Sequence, residues 1–182
     1  MTAAIENSAY RAIAPLSGLP KTRVFMADDN PAEHLLMAMA ADQSAQPLQF
    51  EFETSGDGLL LELGAAPSVG HYPDLILLDY DILGLSGAQT LEELQAHPSL
   101  WQIPVVVLTD SYRIEDEVGA YQRGACWFEL RPESMSAMIG FVSRVIGFAR
   151  RTGYEEPQTK IVGDRFEIPF ERFRRADSRL DA

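Results

Sequence analysis

Two short hydrophobic runs, Asp74–Asp79 and Pro104–Thr109, constrain the fold of this chain more than anything else in it. Both are near-continuous in Ile, Leu and Val rather than alternating, as in strands covered on both faces of a parallel sheet. Each also stops on a polar residue, Asp79 in one and Thr109 in the other. Such strands need helices on either side, and residues 21–150 alternate strand and helix signals with short loops between them, the pattern of a parallel α/β sheet.

The remaining elements follow from punctuation and periodicity. Arg23–Ala27 is a short apolar run leading into Asp28-Asp29. A helix follows, with Asn30 as its cap, Pro31 at its first position and Glu33 at capping-box spacing. Leu35, Leu36 and Met39 recur along it at helical spacing. Gln49–Thr54 alternates Phe50 and Phe52 with Glu51 and Glu53, which predicts an edge strand with one wet face. Asp57–Gly64 reads as a short helix, and Ala65–Pro73, rich in Pro, Gly and Ser, as a loop. Further helices are expected over Ala88–Ala96 and Glu115–Arg123, the latter ended by Gly124. Cys126–Leu130 makes the fifth strand. The clearest helix comes last, with Met135, Met138, Ile139, Val142, Val145, Ile146 and Ala149 on one stripe and Arg150-Arg151 in its final turn. The fold class is therefore α/β: five parallel strands and five helices over residues 21–150, with extensions over 1–20 and 151–182.

Composition narrows the function. With 182 residues the chain has room for one ordinary domain and modest extensions. The formal charge of −12 lies almost wholly between Pro20 and Arg150, since residues 151–182 carry seven basic and seven acidic groups. An acidic body repels phosphate backbones, which argues against nucleic acid as a partner. No apolar run approaches the roughly 20 residues of a membrane span. The opening residues lack a signal-peptide layout, so a cytoplasmic location is expected. A single cysteine, Cys126, fits a reducing compartment and reads as a small buried side chain.

In open parallel sheets, sites form beyond the carboxyl ends of the strands. There the chain places Asp28-Asp29 after strand one, Asp79 after strand three, Thr109 after strand four and Arg131 after strand five. Three carboxylates make an oxygen-rich cage suited to a hard divalent cation, most simply Mg2+. A hydroxyl and a fixed cation nearby suit the outer oxygens of a phosphoryl group, with Asp79 as the nucleophile. The plainer reading of Asp28-Asp29, a helix cap, is weakened because Asn30 already fills that role. His34, His71 and His97 have no metal-ligand spacing and read as helix surface or loop. Tyr72, Trp101 and Trp127 read as packing or interface residues.

Four pieces in register, Asp28-Asp29, PDLILLDYDILGLSG (Pro73–Gly87), IPVVVLTD (Ile103–Asp110) and GACWFELRP (Gly124–Pro132), resemble the receiver domains of two-component response regulators. The resemblance covers about 130 residues and implies a doubly wound, flavodoxin-like sheet. It also implies Asp79 as phospho-acceptor, and Asp28, Asp29, Asp79 and the Asp81 main chain around Mg2+. Thr109 would sense the phosphoryl group, Phe128 would be an aromatic switch, and Gly87 would end the loop after strand three. DDNPAEHLL, the lengthened stretch before PDLILLD and PSLWQIPVVVLT look most like the single-domain regulators paired with bacterial phytochromes. That likeness implies a histidine kinase, such as a bacteriophytochrome, as the activating partner.

Three residues depart from the receiver pattern. Arg131 stands before Pro132 where receivers carry Lys; it keeps the charge in a planar, bulkier group, and a cis peptide there stays open. Asp110 follows Thr109 where a small residue is usual, and should repel a phosphoryl dianion. Leu83 replaces the usual Pro and should loosen its loop. The departures leave room for a pseudo-receiver that binds partners without phosphorylation. An Asp-x-Asp phosphatase of the haloacid-dehalogenase type fits less well, because Leu83 stands where that family places Thr or Val. Beyond the body, Gly163-Asp164 between Lys160–Val162 and Arg165–Ile168 suggests a hairpin over 159–169. An isolated hairpin is marginal in water, so it is expected to dock, and a homodimer using the tail and last helix is expected.

Overall fold

The computed structural model describes residues 21–44, 46–69 and 72–151, and residues 1–20 and 152–182, including the expected hairpin, lie outside them. The chain runs β1 (Thr22–Ala27), α1 (Pro31–Gln43), β2 (Leu48–Glu53), α2 (Gly56–Val69), β3 (Leu75–Asp79), α3 (Gly87–Ala96), β4 (Val105–Thr109), α4 (Ile114–Gln122), β5 (Trp127–Leu130) and α5 (Met135–Arg151). All strand pairs are parallel and the sheet order is β2-β1-β3-β4-β5. The expected five-stranded sheet is present, with β2 on its edge.

The hydrophobic runs are buried on both faces, and alternation along each strand divides them between two cores. Val24, Met26, Leu75, Leu77, Val106 and Leu108 pack with α1 and α5, chiefly against Phe141, Val142, Val145 and Ile146. Phe25, Ile76, Leu78, Val105 and Val107 point the other way, against Leu59, Leu63, Leu91, Leu94 and Ala120 of α2, α3 and α4. Along α5 the predicted stripe is buried at Met138, Val142, Val145, Ile146 and Ala149 and half-buried at Met135 and Ile139, and it is widened by Phe141 and Phe148, whose rings both contact Trp127.

Four local expectations are corrected. α2 continues to Val69, where a loop from Ala65 was expected. Ala65-Ala66 favour helix and carry it past the expected boundary. On α1 the core face is Met37, Ala40 and Ala41, while Leu35, Leu36 and Met39 are exposed. Apolar residues lie all round this helix, so periodicity could not choose the face; α1 seats against α5 through small alanines. Asn30 caps α1 as expected, accepting from the Ala32 N–H, but the Glu33 side chain turns to Arg131 instead of closing a capping box. His34 is not a plain surface residue either: its ring stacks on Phe52 at 4.7 Å. Cys126 is half-buried, and its thiol donates to the Val105 carbonyl. Among the described residues no helix is long and apolar enough to cross a membrane.

Candidate functional site

Strand register lines the polar residues up at one end of the sheet. Ala27 pairs with Leu78, Asp79 with Leu108, and Thr109 with Leu130. The residues just beyond are fixed by single backbone bonds, Asp28 N–H to the Glu53 carbonyl and Arg131 N–H to the Thr109 carbonyl. Asp28, Asp29, Asp79, Asp110 and Arg131 therefore meet at one mouth, although they come from four segments of the chain.

One carboxylate oxygen from each of Asp28, Asp29 and Asp79 lies within 4.8 Å of the others. Asp28 is held by the Asn30 N–H, which donates to its Oδ1 at 2.9 Å. Asp28 and Asp79 are buried, and burial above all pushes the Asp79 carboxyl up from its ordinary 3.8 to about 6, with Arg131 acting against the shift and the Asp28 charge adding to it. A converging set of hard oxygens at this spacing fits a divalent cation. The Asp81 N–H lies 3.5 Å from Asp79 Oδ1, a weak contact that brings the Asp81 main chain to the rim.

Arg131 occupies the middle of this cluster. Its Nη1 donates to Asp28 Oδ2 at 2.6 Å, its Nη2 stands 3.2 Å from Asp79 Oδ1, and its Nε donates to Asp110 Oδ1 at 2.6 Å. Glu33 Oε2 adds a longer contact at 3.5 Å. Burial works against the charge of Arg131, but Asp28, Asp110 and Asp79 outweigh it and hold the guanidinium above its ordinary value. Asp110 is paired with Arg131, yet its negative charge still acts on Asp79, adding to the upward push on that carboxyl. Glu33 was missed as a site residue because capping-box spacing offered it a local role. Among the described residues no peptide bond is cis, so Arg131–Pro132 is trans.

Thr109 is buried, and its hydroxyl donates to the Ser111 carbonyl at 3.0 Å while accepting from the Ser111 N–H at 3.2 Å. It also lies 3.5 Å from Asp81 Oδ2. Phe128 is buried in the second core, edge-on to Tyr80 at 5.8 Å and to Tyr112 at 6.4 Å. Because Tyr80 follows Asp79 directly, this aromatic row runs from the acid cluster toward α4, where the Tyr112 hydroxyl bonds Glu117. The row was not foreseen, though an aromatic residue adjoining Asp79 was a legible signal.

The loop after β3, in which Leu83 is exposed, is tied to α2 through Asp57. Gly84 takes φ +81°, a left-handed conformation that favours glycine, and Asp57 Oδ2 accepts from the Leu85 N–H at 3.1 Å. Ser86 and Gln89 form a reciprocal capping box at the start of α3. A Cβ on Gly87 would stand 2.7 Å from the Tyr80 Cα and 2.9 Å from the Asp79 carbonyl oxygen. Only glycine lets the two backbones approach so closely.

No family model matches the chain. Among curated proteins it is 27% identical over 125 residues to PilH of Pseudomonas aeruginosa, covering 68% of this chain and 97% of PilH. It is 30% identical over 76 residues to the response regulator Rcp1 of Synechocystis, covering 42% of this chain and 52% of Rcp1. Against the transcriptional regulator RpaA of Synechocystis the match spans about half of the relative's length. Among solved structures, the phosphorylated cyanobacterial phytochrome response regulator RcpA superposes with a TM-score of 0.65 at 26% identity, over 72% of this chain and 95% of RcpA. The Mn(2+)-bound form of Rcp1 superposes with a TM-score of 0.62 at 24% identity, over 71% and 94%.

Proposed function

We propose that this chain, a relative of the receiver-domain response regulators in sequence and in fold, accepts a phosphoryl group on Asp79 from a histidine kinase in a Mg2+-dependent reaction. The observation that carries the reading is the convergence of Asp28, Asp29 and the buried Asp79 carboxylate within 4.8 Å, with Arg131 against Asp79. Residues 21–150 form the receiver unit, flanked by extensions over 1–20 and 151–182.

In this reading an Asp79 oxygen forms a bond to phosphorus while the P–N bond of a kinase phosphohistidine breaks. The product is an acyl phosphate, and the imidazole leaves and takes up a proton. Asp79 must be ionised to attack, and with its carboxyl raised to about 6 it is mostly ionised at neutral pH. Asp28, Asp29, Asp79 and the Asp81 main chain would hold the cation, and the Mn(2+)-bound form of Rcp1 supports such a group in a protein of this fold. Mg2+ there supplies positive charge that offsets repulsion between the carboxylates and the phosphoryl oxygens. The Thr109 hydroxyl and the Arg131 guanidinium would take the remaining phosphoryl oxygens, exchanging their present partners for them. Phe128, packed between Tyr80 and Tyr112, would carry the change toward α4 as the switch residue, and Pro132 sets the exit of the chain after Arg131.

The signal would leave by protein–protein contact or by onward transfer of the phosphoryl group, with no call for nucleic acid or membrane. The kinase is of the bacteriophytochrome class; the support is the likeness to RcpA, a phytochrome response regulator. Such a partner places the chain in the cytoplasm, and a homodimer through α5 and the C-terminal segment completes the reading. One observation favours a second reading, a phosphorylation-independent interaction module: Arg131 is already engaged by Asp28, Asp79 and Asp110.

Intact mass after incubation with Mg2+ and acetyl phosphate tests the choice. A phosphoryl adduct on the wild type that is absent from Asp79→Asn supports the main reading. Absence of an adduct with the small donor and with phosphorylated kinases favours the interaction module. Steady phosphate release from monoesters would replace both with a phosphatase.

A further inference from the structure

We infer that Arg131 is a resident occupant of the acid pocket that competes with a divalent cation for the oxygens of Asp28 and Asp79, and that Asp110 is the positioning residue that holds the guanidinium at the mouth when the cation displaces it. The inference rests on the reading that the pocket binds a divalent cation. Two of the three carboxylates that converge within 4.8 Å already face the guanidinium, Asp28 at 2.6 Å and Asp79 at 3.2 Å. A cation bonded to the same two carboxylates at about 2.1 Å from each oxygen would stand only a few ångströms from the guanidinium charge. Like charges at such a separation repel strongly wherever water is scarce.

The planar fork of Arg makes this more than general charge crowding. Its three nitrogens are committed in different directions, Nη1 to Asp28, Nη2 to Asp79 and Nε to Asp110, a set that a point-charge ammonium could not reproduce. The partners also differ in burial. The Asp28 side chain is 1% exposed and that of Arg131 9%, whereas that of Asp110 is 76% exposed at the mouth. An incoming cation takes the inner oxygens, and the guanidinium tilts outward about its Nε–Asp110 bond rather than leaving. Arg131 thus lowers cation affinity, and Asp110, the second departure from the receiver pattern, limits that loss by giving the displaced guanidinium a partner at the mouth.

Calorimetric titration of Mn2+ into the wild-type chain, Arg131→Gln, Arg131→Lys, Asp110→Asn and Arg131→Gln/Asp110→Asn tests this, together with the NMR signal of the Arg131 Nε–H during a Mg2+ titration of the wild type. Arg131→Gln should bind Mn2+ on the order of tenfold more tightly than wild type, with Arg131→Lys between them. Asp110→Asn should weaken binding several-fold when Arg131 is present and much less when it is Gln. The Nε–H signal should shift saturably at the Mg2+ concentration that fills the site yet stay protected from exchange. Should Arg131→Gln fold poorly, Arg131→Lys and the wild-type NMR titration still decide. Equal Mn2+ affinity in wild type and both Arg131 variants, or an Nε–H signal indifferent to Mg2+, overturns the competition and leaves the metal reading standing. No Mn2+ binding by any of the proteins overturns both. An equal effect of Asp110→Asn with and without Arg131 overturns the positioning role.

Discussion

Replacing Asp79 by Asn should stabilise the protein at neutral pH, and the gain should vanish in acid. The fold makes this carboxyl a far weaker acid, from its ordinary 3.8 to about 6, chiefly because it is buried. A difference of that size corresponds to about 3 kcal/mol of penalty on the ionised form, at about 1.4 kcal/mol per tenfold change in acid strength. The Arg131 contact at 3.2 Å already offsets part of the burial cost within that balance. Asn keeps an oxygen for Arg131 but is a weaker acceptor than a carboxylate, so a net gain of about 1–2 kcal/mol is expected. The sign follows from linkage. Above about 6 the group is ionised in both the folded and the unfolded chain, and the fold bears the full cost. Between about 6 and 3.8 the folded chain holds a proton that the unfolded chain has lost, so wild-type stability recovers relative to the variant as pH falls. Below 3.8 the two proteins should converge. Urea denaturation in EDTA at pH 7.5, 5 and 3.5, wild type against Asp79→Asn, reads the difference directly. An Asn variant less stable than wild type at pH 7.5, or a gap independent of pH, would refute the reasoning.

Other perturbations follow from packing. Gly87→Ala sets a Cβ against the backbone of Asp79 and Tyr80 and should cost about 2 kcal/mol or more, with the phosphorylation rate falling as the loop shifts; chemical denaturation and the acetyl phosphate assay check both. Phe141→Ala empties the centre of the α5 core and should cost about 3–5 kcal/mol in the same denaturation assay. Glu92→Gln removes the exposed pair with Arg123 and should change the denaturation midpoint by less than about 1 kcal/mol equivalent.

The central sheet was legible because β3 and β4 are buried on both faces, so their sequences have little freedom to be anything but runs of Leu, Ile and Val. The acid cluster was legible for a related reason. A strand that ends in Asp79, beside one neighbour leading into Asp28 and another ending in Thr109, has no packing use for the polar residue. Where the reading failed, several local choices were compatible with the residues and tertiary contact selected one. α1 offers apolar residues on more than one face, and the fit against α5 buried Met37 and the alanines rather than Leu35, Leu36 and Met39. Glu33 had a local backbone partner at suitable spacing, yet the guanidinium 98 positions later in the chain claims it. Arg131 and Asp110 each looked like a separate oddity; only the pairing of β4 with β5 shows them as partners.

The hydrogen bond from the Leu85 N–H to Asp57 has a consequence for how the molecule opens. It ties the loop that shapes the rim of the acid cluster to the first turn of α2, from an adjoining layer of the fold. Fluctuations of that loop must therefore detach it from α2 or carry the first turn of α2 along, which ties the two into one cooperative opening unit. The loop that carries Leu83 is thereby anchored at Leu85 to a helix rather than hanging as a free flap.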